Sequence, residues 1–148
     1  MVVPHDDPGI SAEETLIRRV NPKEHVVWDD NIRGHRLSSK LFSSSSEPPY
    51  GMSVDVLSLI VADGVDPAKH VTTPVYTGSV HFTVGAAREA GLHVGLDPLP
   101  ATVGQPANPY HAEVWGHPRP ERFSRGQQSK LMRASEWYVS IPGVTIPK

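Results

Sequence analysis

Three stretches of this chain carry residue types able to do chemistry. The first is His111-Ala112-Glu113. On a strand, residues two apart point to the same face, so an imidazole and a carboxylate would stand side by side. Such a pair can act as acid and base near neutral pH or begin a metal site. The H-x-E pattern opens the zinc nucleoside deaminase signature, whose other ligands are the cysteines of P-C-x-x-C. This chain has no cysteine. H-x-E also opens some two-histidine, one-carboxylate iron sites. Those usually take a distant downstream histidine, and the only one is His117, just past Gly116; an upstream histidine could substitute, but nothing marks which. No metal site is therefore assigned, and His111 and Glu113 stand as candidate catalytic residues. The competing reading is an ordinary strand with His111, Glu113 and Trp115 facing solvent and Tyr110, Ala112 and Val114 packing inward.

The second stretch is Arg33-Gly34-His35-Arg36-Leu37-Ser38-Ser39-Lys40, with Arg18 and Arg19 upstream. Guanidinium forks and hydroxyls suit phosphate or pyrophosphate. Arg18, Arg19, Arg36 and Ser39 are the candidate ligand-binding residues, and Ser38 joins the candidate catalytic set. Trp28, Phe42 or Tyr50 could stack on a base. The alternative is a polar loop that solvates its own charges. The third feature is His81 and His93, each flanked by apolar neighbours at alternate positions, with His111 as a third member. It reads as an acid–base cluster or as the wet face of a half-buried sheet, and the wet face is the reading adopted.

The elements that would position these groups are short. The 148 residues include 15 prolines and 12 glycines, spread without a repeat, so turns must be frequent. Leu16 to Val20 and His25 to Trp28 read as strands. Ser53 reads as the cap of a helix through Val56, Leu59 and Ile60, stopped at Asp63-Gly64. Val80 to Val84, Gly85 to Ala90 and Leu92 to Leu96 read as strand, short helix and strand, with a single helix over 79–90 as the competitor. Residues 97–109 hold four prolines and read as a loop. Tyr110 to Trp115 is a strand, Gln127 to Trp137 a helix and Tyr138 to Ile141 extended. The sum is an α+β fold: a curved, mostly antiparallel sheet with two to three short helices. Residues 1–14 are expected as a flexible arm and residues 15–148 as one domain.

Composition narrows the function classes. Hydrophobic residues are 38% and charged residues 20%, a globular profile. The formal net charge of −2 gives no basic footprint for duplex nucleic acid. No apolar run is long enough to span a bilayer, and residues 1–14 lack the pattern of a signal peptide. The expected location is cytoplasmic. The signatures of P-loop, dinucleotide-binding, zincin and α/β-hydrolase proteins are all absent.

The runs Leu16-Ile17-Arg18-Arg19-Val20, Arg36-Leu37-Ser38-Ser39-Lys40-Leu41-Phe42 and Gly51-Met52-Ser53-Val54-Asp55, with Asp97-Pro98-Leu99-Pro100 and His111-Ala112, resemble small bacterial proteins of unassigned function. That resemblance implies no activity. The chain is similar, more distantly, to ADP-ribosyltransferase-type folds. That resemblance implies an arginine (Arg18 or Arg19) on the pyrophosphate of NAD. It implies a hydroxyl (Ser38 or Ser39) on the ribose and a carboxylate (Glu113) beside the developing oxocarbenium ion. The chain departs from that pattern in lacking a Ser-Thr-Ser strand and a Glu-x-Glu pair.

Two functions are expected. One is a non-catalytic accessory protein, antitoxin-like, bound to a protein partner through an apolar patch. The alternative is an enzyme using NAD or another nucleotide, its arginines, Ser38, His111 and Glu113 meeting in one cleft.

Overall fold

The computed structural model describes residues 3–116 and 121–148. Their order is β1 Thr15–Val20, α1 Pro22–His25, β2 Val26–Asp29, β3 Gly34–Leu37, a 3-10 turn Ser39–Phe42, β4 Met52–Val56, α2 Leu57–Ala62, α3 Pro67–Val71, β5 Gly78–Thr83, α4 Val84–Glu89, β6 His93–Leu96, β7 His111–Trp115, α5 Arg125–Ala134, β8 Glu136–Val139 and β9 Val144–Thr145. The fold is α+β. Six strands form an antiparallel sheet in the order β6-β7-β4-β1-β5-β8. A small second sheet, β2-β3-β9, is antiparallel at one pairing and parallel at the other.

Alternation along the strands gives the large sheet two faces. Leu16, Val54, Val56, Val80, Phe82, Val94, Ala112 and Val114 share the main core with Leu37, Leu41 and Phe42 and with Val84, Ala87, Leu131 and Met132 of α4 and α5. Ile17 points the other way and meets Ile60, Val71 and Tyr110 in a smaller core. Both faces are therefore covered.

Local chemistry accounts for several boundaries. Asn21 caps α1 by accepting from Lys23 N–H, and Pro22 takes the first helical position, where its missing N–H costs nothing. Ser124 and Gln127 form a reciprocal capping box at α5. Thr83 ends β5 and caps α4.

The strand–helix–strand reading of residues 78–96 holds, and a helix over 79–90 does not form. Other elements differ from expectation. Ser53 caps no helix; it lies within β4, and α2 starts at Leu57 with no side-chain cap. The pattern Val54, Val56, Leu59, Ile60 runs across a strand–helix junction, which a helical period imitates. Trp137 belongs to β8, not to a helix. There are five α-helices among the described residues where two to three were expected, because α1 and α3 span only four and five residues. Elements that short carry too few turns to print a period.

The segment expected as a loose arm is docked. Asp7 N–H donates to Val94 O at 2.8 Å. Asp6 takes Arg88 Nε at 3.2 Å and Val94 N–H at 3.1 Å. Ile10 is buried.

Gly78 marks a close approach between β5 and β8. A Cβ there would stand 2.4 Å from Ile141 Cγ1 and 3.0 Å from Val139 O. Gly78→Ala is expected to cost about 1–3 kcal/mol through forced repacking of this edge, read as a lower urea midpoint at unchanged m-value.

Candidate functional site

β1 and β4 pair at Leu16↔Val56 and Ile17↔Asp55 and at no other position. Beyond that the strands part, and the Arg18 side chain takes the place of the missing ladder. Its Nε donates to Leu41 O at 2.9 Å and its Nη1 to Ser53 O at 3.0 Å. The opening leads into a cleft of about 630 Å³ lined by Arg18, Asp55, His70, Tyr76, Asn108 and His111, among others. Among the described residues no carboxylate lies within ion-pair distance of the Arg18 guanidinium. Burial lowers its pKa, while Tyr76, Glu113, Asp55 and Glu24 act against that from around it.

Arg19, one residue on, faces the other way and is fully engaged. It grips Asp55 with two bonds, Nε to Oδ2 at 2.9 Å and Nη2 to Oδ1 at 3.2 Å. Asp55 is 3% exposed and also accepts from Asn108 Nδ2 at 2.9 Å. Asn108 Oδ1 in turn accepts from Tyr110 N–H and from His70 Nε2, both at 3.2 Å. This network anchors one wall of the cleft.

That wall is the expected loop 97–109, and it is folded. Leu99 and Asn108 exchange two backbone bonds of 2.9 Å, and Thr102 and Gln105 exchange two of 3.0 and 3.1 Å. The result is a two-rung hairpin arm turning at Val103-Gly104, where Gly104 has φ +81°, a conformation open to glycine. Leu99 and Pro100 separate the cleft from a second hollow of about 480 Å³, bordered by Gly51, Asp97, Glu113 and Trp115.

β7 places His111, Glu113 and Trp115 on one face and Ala112 and Val114 in the core, as the alternation predicts. The face is not wet, however. His111 is 4% exposed and Trp115 1%, with the Asp97 backbone bonded to His111 at both ends. Asp97 N–H donates to His111 O at 3.0 Å, and His111 Nδ1 lies 2.7 Å from Asp97 O. The His5 ring packs against Trp115 at 5.3 Å, tilted by 42°. Three buried atoms on this face, His111 Nε2, Glu113 Oε2 and Trp115 Nε1, have no hydrogen-bond partner among the described residues. Burial raises the pKa of Glu113; His111 opposes this, Asp97 adds to it, and Arg18 and the Ser53 hydroxyl oppose it.

The candidate residues thus divide. Arg18, His111 and Glu113 converge around the opening between β1 and β4. Arg19 lines the same cleft but is committed to Asp55. Ser38 is buried and caps the 3-10 turn by accepting from Lys40 N–H at 3.2 Å. Arg36 is tied to Asp29 at 2.8 Å and, with Ser39, borders a separate hollow of about 260 Å³. Phe42 is in the core and cannot stack on a ligand. His81 and His93 lie on β5 and β6, with three strands between them, so the histidine cluster does not form. His117 lies outside the described residues. Asp55, His70, Asp97 and Asn108 were not expected. Only Asp97 carried a signal, as the acid opening the proline-rich segment before His111.

No family model matches the chain, and no similar curated protein or solved structure was found.

Proposed function

We propose that this chain is an enzyme acting on a small anionic substrate of the nucleotide class, bound in the cleft beside Arg18. One observation carries the reading. The half-buried Arg18 guanidinium hydrogen-bonds only to backbone carbonyls and has no carboxylate at ion-pair distance among the described residues, an arrangement that favours an anionic ligand in direct contact. The volume of about 630 Å³ falls in the usual range for small-molecule sites. Tyr76 offers an aromatic surface and Asn108, Thr73 and Gln105 offer polar atoms along the walls. His111 borders the same cleft and Glu113 the adjoining hollow, which puts an imidazole and a carboxylate beside the bound anion.

This favours the nucleotide-using expectation over the accessory protein. Beyond the missing Ser-Thr-Ser strand and Glu-x-Glu pair, it departs from the ADP-ribosyltransferase pattern in that Ser38 caps a turn outside the cleft. The test is thermal melting in chelator with NAD, ATP and AMP. A ligand at a hundredfold excess over its dissociation constant stabilises by about 2.7 kcal/mol, or roughly 5–10 °C for a domain of this size. Arg18→Gln is expected to weaken binding tenfold to a hundredfold, the range of a charged hydrogen bond, and so remove most of that rise. A flat panel, or an equal rise in Arg18→Gln, would return the chain to the accessory-protein reading.

A further inference from the structure

We propose that Asp97, His111 and Glu113 bind a first-row divalent cation between the cleft and the adjoining hollow. The inference goes beyond the substrate reading and stands on separate geometry. The backbone carbonyl of Asp97 can only accept, so His111 Nδ1, 2.7 Å away, carries the ring proton. In the neutral ring Nε2 then presents a lone pair. That atom is buried, in a side chain 5% exposed, and has no hydrogen-bond partner among the described residues. It faces Glu113 Oε1 at 3.7 Å, an acceptor opposite an acceptor. A shared proton does not resolve the pair, because 3.7 Å exceeds any ordinary N–H···O or O–H···N bond.

A metal ion fits the gap. Bonds of about 2.0–2.2 Å to nitrogen and oxygen place neighbouring ligand atoms roughly 3–4 Å apart. One donor atom each from Asp97, His111 and Glu113 all lie within 4.8 Å of one another. The backbone carbonyl on Nδ1 is the partner that fixes ring and tautomer at histidine metal sites. One imidazole with two carboxylates suits zinc, manganese, iron or cobalt better than calcium or magnesium. Three protein ligands leave positions open. His111 borders the larger cavity and Asp97 and Glu113 the smaller, so the open positions face space that solvent or a substrate can fill. The histidine expected downstream in such a site is replaced here by an acid from upstream, brought in by the hairpin arm.

The experiment is titration of the chelator-stripped full chain with zinc by calorimetry and with cobalt by visible absorption. One equivalent should bind, with cobalt bands in the visible reporting nitrogen and oxygen ligation. His111→Gln and Glu113→Gln should each weaken binding at least tenfold, and His35→Gln, on the small sheet, should leave it unchanged. Circular dichroism on each variant confirms that it is folded. Absence of saturable binding by the unaltered protein overturns the proposal whatever the variants do, and so does equal affinity in a folded His111→Gln. No nucleotide enters this titration, so its failure leaves the Arg18 reading standing, and a flat nucleotide panel leaves the metal site standing.

Discussion

Replacing Asp55 by alanine is expected to destabilise the protein by about 3 kcal/mol. The carboxylate sits on the central part of the sheet with its side chain 5% exposed. It holds Arg19 through two bonds and Asn108 through a third. Removing one partner of a buried ion pair typically costs about 3–5 kcal/mol, because the other charge is left uncompensated. Arg19 is 25% exposed, so water recovers part of that charge and the lower end applies. The Asp29–Arg36 pair is the internal comparison. Its partners are 19% and 34% exposed, and Asp29→Ala is expected to cost far less than Asp55→Ala, because solvent screens an exposed pair. Urea unfolding of the two variants gives the contrast directly. Asp55→Ala should also raise hydrogen exchange at Leu99 and Asn108, since Asn108 fixes the hairpin arm to the sheet. Equal losses in the two variants would refute the assignment of Asp55 as the anchor.

Acid is expected to remove up to about 3 kcal/mol of stability through one residue, His25. Its pKa is lowered to about 4, first by burial and then by the Arg18 charge, with Glu24 acting weakly the other way. The ring is 7% exposed, and Nδ1 accepts Asn21 N–H at 2.9 Å, a bond that a protonated Nδ1 cannot make. The unfolded chain takes up this proton near pH 6.5, whereas the folded chain resists until about pH 4. Above pH 6.5 both states are neutral and the stabilisation is complete. Between pH 6.5 and 4 only the unfolded state gains the proton, so stability falls as pH falls. Below pH 4 this group contributes no further loss. At about 1.4 kcal/mol per pH unit the interval sets the ceiling of about 3 kcal/mol. His25→Asn, which keeps an acceptor near the position of Nδ1, should flatten the curve of urea stability between pH 6.5 and 4. A curve as steep as the parent's would assign the acid limb to other groups.

The sheet was legible where strands alternate cleanly. Val80, Phe82 and Val84 and then Ala112 and Val114 announced β5 and β7, and the capping chemistry of Thr83 agrees with the period change there. Of the shortest helices, α4 was legible from its alanine-rich run between two strands, whereas α1 was not, because a single turn shows no repeat. The β4–α2 junction was misread for the related reason that Val56 suits either period. The site divides along the same line. His111 and Glu113 share a face because alternation requires it. That this face is buried depends on residues 97–109 folding back as a hairpin, and four prolines advertise only a turn-rich segment. Arg18 was visible as a charge within an apolar strand. Its task follows from the parting of β1 and β4, a tertiary fact that depends on which strands become neighbours. The expectation of an ADP-ribosyltransferase-type pattern drew Ser38 toward the site, whereas its role as a cap was within reach of the local sequence.

The placement of β1 also governs how the chain comes together. It is made before both of its neighbours, β4 and β5. Leu16 must wait for Val56 on one side, and Thr15 for Thr83 on the other. Pairings so far apart in sequence belong to proteins that fold in milliseconds to seconds. Until then an apolar strand has two open edges, the kind of surface on which chains aggregate. Arg18 and Arg19 stand in its middle, and charge inside such a segment is an effective gatekeeper against self-association. Arg18 and Arg19, which line the cleft of the finished protein, therefore also put two charges inside the central strand while both its edges are still open.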